Sequence, residues 1–402
     1  MSILLGKRSR YLTLSILFTA WFIGYFDRMA INIAIIPISK EFSLLPEQSG
    51  LILSSFFIGY SIMQFFGGWF ADKFGSRKVL ITCVLAWSIF TGLTGIATSF
   101  ITLFLVRFMF GLGEGSFSPA SSVAVAENFP RMGRARAKSI LLSSYQLAGI
   151  AGSFGIASLM TLYNWRDTFH ILAASGIIIT LLLWISLPSP QLHGLKNSEE
   201  RIKALLKLDL IWKVLIVWFG ISIVNWGLAT WMPSYLTEAR HMQLMSMGLV
   251  SSIPAAAGFI SILLSGWILD KYMNGHEKLL LVYGSLFTAL FLYMMFTAHS
   301  ISMAITFWAL CQFSFGTVFV TVFALPLKYM SEKSIGTATG LINFGGQIAG
   351  IIAPSLIGVM VELFHGSYNA AFWSLIAAAI LSLVTGITLT IGRIKGPLPE
   401  EI

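Results

Sequence analysis

Apolar runs of about twenty residues or more, parted by short polar stretches, recur along the whole chain. A hydrocarbon layer about 30 Å thick takes about 20 residues of α-helix, whereas buried strands end after about four to eight, so the runs read as membrane-crossing helices. The pattern predicts twelve, at 11–38, 48–71, 78–97, 100–127, 138–162, 167–187, 212–236, 246–270, 278–297, 300–327, 335–362 and 369–391. One polar connection is long. It opens with Pro188-Ser189-Pro190 and carries Lys196, Glu199, Glu200, Arg201, Lys203 and Lys207. This predicts an N-terminal six-helix bundle at 1–187, a linker at 188–211 and a C-terminal six-helix bundle at 212–402.

The two halves share phrases. GGWFADKF at 67–74 is echoed by SGWILDKY at 265–272, and QLAGIAG at 146–152 by QIAGIIA at 347–353, at offsets of 198 and 201 residues. Two matches at nearly equal offset predict a duplicated unit: an all-α membrane protein of two pseudo-symmetric bundles, the plan by which many secondary carriers place a substrate site near the midplane.

Composition closes off other classes. The 402 residues are 56% hydrophobic and 11% charged, against roughly a quarter charged in soluble domains, and the mean hydropathy is +0.81. The first span follows Lys7, Arg8 and Arg10, but it is too long for a secretory signal and lacks a small-residue cleavage pattern, so it is expected to be retained. Of the 26 Lys and Arg, Lys40, Arg166 and Arg240 fall on one side of the spans, Arg28 and Arg107 inside them, and the other 21 on the side of the termini. The positive-inside rule then expects both termini in the cytoplasm of a multi-pass inner-membrane protein. The net charge of +9 is thereby a matter of topology, not of nucleic-acid binding. Cys83 and Cys311 lie far apart inside spans and are read as packing residues, and no histidine pair, His170 included, has metal-ligand spacing. GLGEG at 111–115 follows no strand and sits within a span, so its glycines are read as close-packing points rather than a dinucleotide loop. No P-loop, hydrolase elbow or metalloprotease motif is present. The expectation is no enzyme, metal or cofactor, with energy drawn from a gradient.

Four ionisable residues stand inside apolar runs: Asp27 and Arg28 in the first span, Arg107 and Glu114 in the fourth. Each costs about 2.5–3.5 kcal/mol at a helix centre on insertion scales, so four in one half call for a function. Arg107, Gly111 and Glu114 recur at i, i+4 and i+7, placing Arg107 and Glu114 on one face. The arginines stay charged and can hold a carboxylate, while Asp27 and Glu114 can exchange protons. An anion loaded on the arginines withdraws their support from the carboxylates, which then take up protons, coupling the two events. The structural alternative is a pair of fixed ion pairs clamping the first span to the fourth. Neutral groups follow in both halves. Asn343 and Gln347 offer two amides on one helix face; Asn225, Trp226, Trp231 and Trp373 add amide and stacking surface; Tyr60, Gln64, Tyr145 and Gln146 come from the first half. A lone tryptophan also suits an interface anchor, and a lone asparagine interhelical bonding.

The loop GGWFADKFGSRK at 67–78 resembles the signature loop of the major facilitator superfamily. Gly67 and Gly68 permit close helix contact, Asp72 can face a helix N-terminus such as that of the eleventh span near Ser334, and Arg77 and Lys78 can anchor at anionic lipid. These residues, with Asp270 of the echo, are expected to act in gating. GYFDRMAINIAI at 24–35, Gly59-Tyr60 with Gln64, and RFMFGLGEGSFSPA at 107–120 running into FPRMGRARAKS at 129–139 resemble the anion:cation symporter family within that superfamily. NWGLATWMPSYL at 225–236 and GLINFGGQIAGIIAP at 340–354 match it more loosely. The resemblance implies Asp27 and Glu114 as protonation sites, Arg28 and Arg107 as substrate anchors, and Tyr60 among the substrate contacts. Ser118-Pro119 stands where the family commonly has Phe-Pro, and Gly133 departs in the loop, which bears on substrate size and loop regulation.

The expected function is proton-coupled uptake of a small organic anion, a sugar acid such as a hexonate or hexuronate, by a monomer working through alternating access. The alternative is a proton-coupled antiporter exporting amphipathic compounds, drugs or siderophores, although Arg28 and Arg107 argue against cationic cargo. Sodium coupling is less favoured, since no neutral-oxygen cage is evident.

Overall fold

The computed structural model describes residues 2–129, 131–187, 206–273, 275–330 and 335–389; within these, the side chains of 2–9, 65, 68, 69, 72, 126, 131–136, 138, 139, 142, 146, 270, 327 and 335–337 are outside the description. Among the described residues there is no strand. The helices are α1 (Ser2–Phe42), α2 (Pro46–Phe74), α3 (Ser76–Gly95), α4 (Phe100–Gly115), α5 (Phe117–Asn128), α6 (Arg131–Leu162), α7 (Trp165–Ser186), α8 (Asp209–Ser234), continued by a π turn at Tyr235–Ala239, α9 (Leu244–Lys271), α10 (Glu277–Thr297), α11 (Ile301–Tyr329), α12 (Ile335–Leu363) and α13 (Asn369–Thr388). Eleven spans in the described residues are long and apolar enough to cross a membrane. The 29-residue α2 is the twelfth by length. Most of the linker expected at 188–211 lies outside the described residues.

Local chemistry sets several boundaries. Ser99 and Ser300 cap α4 and α11 by accepting from the amides of Thr102 and Met303, at 3.3 and 3.2 Å, and Asn164 caps α7 through the amide of Asp167 at 2.8 Å. Gly75, at φ 83°, makes the tight turn from α2 to α3. The fourth span differs from the single helix expected at 100–127, because it steps at Ser116 into α4 and α5. Pro119 explains the step: it has no N–H to donate to the carbonyl of Gly115, so the ladder opens there.

By contacts the chain divides into two units, residues 1–195 with 241–252, and 196–240 with 253–402. In the first unit, α1 packs on α6 and α7, α3 on α4 and α7, and α2 on α4. In the second, α8 packs on α12 and α13, and α10 on α11 and α13. Counted by spans these are the same pairings, first with fifth and sixth, third with fourth and sixth, as the repeated phrases predict.

Candidate functional site

In the first unit α2 and α4 approach through glycine. A Cβ on Gly111 would overlap the carbonyl oxygen of Phe56 and come within 2.8 Å of the amide of Tyr60, and one on Gly115 would lie 2.5 Å from the carbonyl of Tyr60. Only a missing side chain admits that backbone contact. It sets Phe56 and Tyr60 of α2 beside the charged face of α4.

Around that contact the four charges gather, all buried: Asp27 is 1% exposed, Arg28 8%, Arg107 0% and Glu114 5%. Arg28 Nη2 donates to Glu114 Oε1 at 2.7 Å. Asp27 Oδ2 accepts from the hydroxyl of Thr91 on α3. Arg107 interacts electrostatically with both Asp27 and Glu114, yet among the described residues Nε, Nη1 and Nη2 all lack a hydrogen-bond partner. Aromatic faces enclose the guanidinium groups: the Arg28 Cζ stands 4.6 Å from the ring centre of Tyr60 and 4.7 Å from that of Phe56, and the Arg107 Cζ 4.2 Å from Phe110 and 5.7 Å from Phe56. Such contacts stabilise a cation without using its N–H groups. Of the two clamps that the structural alternative required, the Arg28–Glu114 pair is formed. Arg107 is held by rings and charge, with its donors uncommitted.

The neutral candidates divide. Tyr145 meets Tyr25 edge-on with ring centres 4.1 Å apart, and Tyr25 in turn faces Arg28, so Tyr145 joins the cluster at one remove. Gln64 is half-buried on α2; the side chain of Gln146 lies outside the described residues. In the second unit Gln347 is 8% exposed, its Oε1 without a partner among the described residues, and Asn225 and Asn343 are half-buried. Trp226 and Trp231 donate their indole N–H groups to the carbonyls of Gly346 and Pro354 on α12, at 3.1 and 3.0 Å. Their donors therefore tie α8 to α12 and are not available to a sugar hydroxyl. Trp373 is 53% exposed and packs on Phe296 and Tyr293 of α10, the setting of an interface anchor rather than of a substrate contact.

Of the gating candidates, Arg77 Nη2 donates to the carbonyl of Trp184 at 2.6 Å. It ties the start of α3 to the end of α7, a use the expected lipid anchoring did not include. Lys78 is exposed. The side chains of Asp72 and Asp270, and the region near Ser334 proposed to meet Asp72, lie outside the described residues. Sequence reasoning passed over Thr91, Phe56 and Tyr25. A threonine or aromatic in an apolar span gives no signal of its own, and only the packing of α1, α2 and α3 reveals what these touch.

The Major Facilitator Superfamily model matches residues 17–354. The probable sulfoacetate transporter SauU of Cupriavidus necator is 32% identical, over 94% of this chain and 92% of its own. The probable galactarate/D-glucarate transporter GarP of Escherichia coli K12 is 29% identical, over 97% and 96% respectively. Among solved structures, a bacterial homologue of the human lysosomal transporter Spinster superposes with a TM-score of 0.84 at 18% identity, covering 94% of this chain and 96% of that one. A family of carriers, not of enzymes, thus accounts for the span count, the paired halves and the signature loop together, and the chain belongs to the major facilitator superfamily.

Proposed function

We propose that this chain takes up a small organic anion, a sugar acid or an acid of similar size, together with protons. The observation that carries the reading is Arg107: a fully buried guanidinium with five N–H donors and no acceptor among the described residues, beside a second arginine. Buried donors of a permanent cation are costly unless something anionic uses them, and a carboxylate or sulfonate fits them two at a time. SauU and GarP, by their names, carry compounds with two acidic groups each, which agrees with two arginines here. Asp27 and Glu114 are the proton-exchanging pair. An anion that draws Arg28 and Arg107 to itself leaves both carboxylates less well supported, and each then takes a proton. The two halves, 1–187 and 212–402, alternate access to the site, and Asn225, Asn343 and Gln347 read the substrate's hydroxyls. The charge bias of the loops supports a topology with both termini in the cytoplasm and the chain in the inner membrane.

The test is uptake into proteoliposomes of labelled galactarate, D-glucarate, galactonate, glucuronate and sulfoacetate, with an inward proton gradient and with that gradient collapsed by an uncoupler. Uncoupler-sensitive accumulation of any one supports the reading. Equal accumulation with and without the gradient removes proton coupling, and silence across the panel removes the substrate class.

A further inference from the structure

The hydroxyl of Thr91 has two possible acceptors. One is Asp27 Oδ2, across the gap from α3 to α1; the other is the carbonyl of Trp87, 2.9 Å away and one turn back on its own helix. Back-bonding of a buried threonine to the preceding turn is ordinary and by itself signifies nothing. The contact to Asp27 is what sets this residue apart: Thr91 is 0% exposed, and Asp27 Oδ1 has no hydrogen-bond partner among the described residues.

A hydroxyl carries one proton and two lone pairs, so it can donate to only one of these acceptors at a time. With Asp27 ionised, the threonine proton goes to Oδ2. With Asp27 protonated, the carboxyl O–H donates to Thr91 Oγ1, and the threonine proton turns to the Trp87 carbonyl. In both states Thr91 Oγ1 and Asp27 Oδ2 stay bonded to each other, and no heavy atom has to move between them.

We propose that Thr91 is a positioning residue for proton exchange at Asp27, its hydroxyl acting as donor to the carboxylate and as acceptor from the acid. The inference rests on the reading above that Asp27 exchanges protons.

The other groups around Asp27 cannot do this. From α4, Arg107 and Glu114 act on it by charge. On α1 itself Arg28 is held by Glu114. Tyr60 of α2 and Tyr145 of α6 gather on Arg28 and Tyr25. Glu127 of α5 accepts from Ser76. Arg166, Asp167 and His170 occupy the first turns of α7, where Arg166 bonds Glu41, about 21 Å along α1 from Asp27.

Infrared titration of the full chain in lipid reads the carboxyl directly, as the C=O band of the protonated acid that disappears in Asp27→Asn. In Thr91→Val that band is expected to persist about one pH unit higher than in wild type, a roughly tenfold change in proton affinity, because a bond to the ionised carboxylate is stronger than one to the neutral acid. It should also rise in frequency. Thr91→Ser keeps the hydroxyl and should restore both, and Thr91→Ala gives the same readout as valine should packing reject the larger side chain. A valine or alanine variant titrating with wild type overturns the proposal, as does the absence of any Asp27-dependent band from about pH 4 to pH 10. Proton-driven D-glucarate uptake by wild type is measured in parallel. If it fails while the band behaves as described, the transport reading falls and the assignment of Thr91 stands.

Discussion

Gly111→Ala tests whether backbone contact between α2 and α4 holds the charged cluster in register. The added Cβ lies 2.8 Å from the amide nitrogen of Tyr60, where ordinary contact begins at 3.4 Å, so relieving that contact alone takes about 0.6 Å. Overlap with the Phe56 carbonyl demands more, on the order of 1 Å in all. The neighbours are backbone atoms of a helix and have no rotamer in which to retreat. Arg107 and Glu114 sit one turn either side of Gly111, so the movement passes directly to them. The Arg28–Glu114 bond is 2.7 Å long, and such bonds weaken beyond about 3.2 Å, which leaves about 0.5 Å of tolerance. Overpacking of this kind costs about 1–3 kcal/mol, and in a unit of this size each kcal/mol lowers Tm by about 2–4 °C, giving a loss of about 2–12 °C. The assay is thermal unfolding of the purified carrier beside proteoliposome uptake, with Gly149→Ala as the control. Gly149 belongs to the repeated phrase at 146–152, but a Cβ there meets nothing within 4 Å. Alanine at 149 should leave Tm unchanged or raise it, since it favours helix by about 1 kcal/mol over glycine. A Gly111→Ala carrier that melts with wild type and transports normally would refute the argument that this contact positions the charges.

Arg107→Ala should weaken binding of a carried anion by about 100-fold or more, since two charge-assisted hydrogen bonds at about 1.5–3 kcal/mol each are lost; titration calorimetry measures it, and near-wild-type affinity removes Arg107 from the site. Glu114→Gln keeps an acceptor for Arg28 but has no proton to exchange, so substrate counterflow should survive while uphill accumulation is lost; retained accumulation would take Glu114 out of coupling. Glu277, at 0% exposure, accepts from the half-buried Lys328 and Tyr329 at 3.0 Å each, so Glu277→Ala removes two hydrogen bonds, one of them charge-assisted, and should cost about 2–4 kcal/mol in unfolding experiments. Arg166→Ala breaks a pair with Glu41 that is a third or more exposed on each side and should cost about 1 kcal/mol or less; the reverse order of these two losses would contradict their assignment.

The spans were legible because hydropathy over twenty residues is a strong signal, and the four charges because an ionisable group stands out in an apolar run. Which carboxylate meets which arginine was not legible. Asp27 and Arg28 are neighbours, about 100° apart around α1, so their partners depend on the rotation of that helix, which is set by packing against α6 and α7. Trp226 shows a second limit. As a tryptophan near the middle of a span it suited a stacking role, but the carbonyl of Gly346 that takes its proton is 120 residues away in sequence. The step at Ser116 was half visible, in Pro119, but a proline inside a long apolar run bends as readily as it breaks.

The repeat also shows that the four buried charges have no charged counterpart at the matching positions of the other half. An offset of 198 residues carries Asp27-Arg28 onto Asn225-Trp226. The caps at Ser99 and Ser300 fix the offset at 201 for the fourth and tenth spans, which carries Arg107 onto Trp308 and Glu114 onto Phe315. Both arginines are thus indoles in the second half, and both carboxylates are neutral. The ends of the spans, by contrast, are braced in both halves, although the arginine comes from the sixth span in the first half and from the end of the first span in the second. Glu41 accepts from Trp165 and Glu238 from Tyr368, at 2.8 and 3.1 Å, while Arg166 and Arg240 donate to the carbonyls of Ala97 and Ala298, at 3.4 and 2.8 Å. Ala97 and Ala298 are again 201 residues apart. Ties that brace the first, third and sixth spans of a bundle are needed in each copy for the bundle to hold together, so both copies retain them. A charged cluster in hydrocarbon adds cost to any copy that holds it, and on the proposed reading one copy is enough to bind an anion and its protons. The second copy is thereby free to carry neutral amides such as Gln347, which can distinguish hydroxyl patterns at no cost in buried charge.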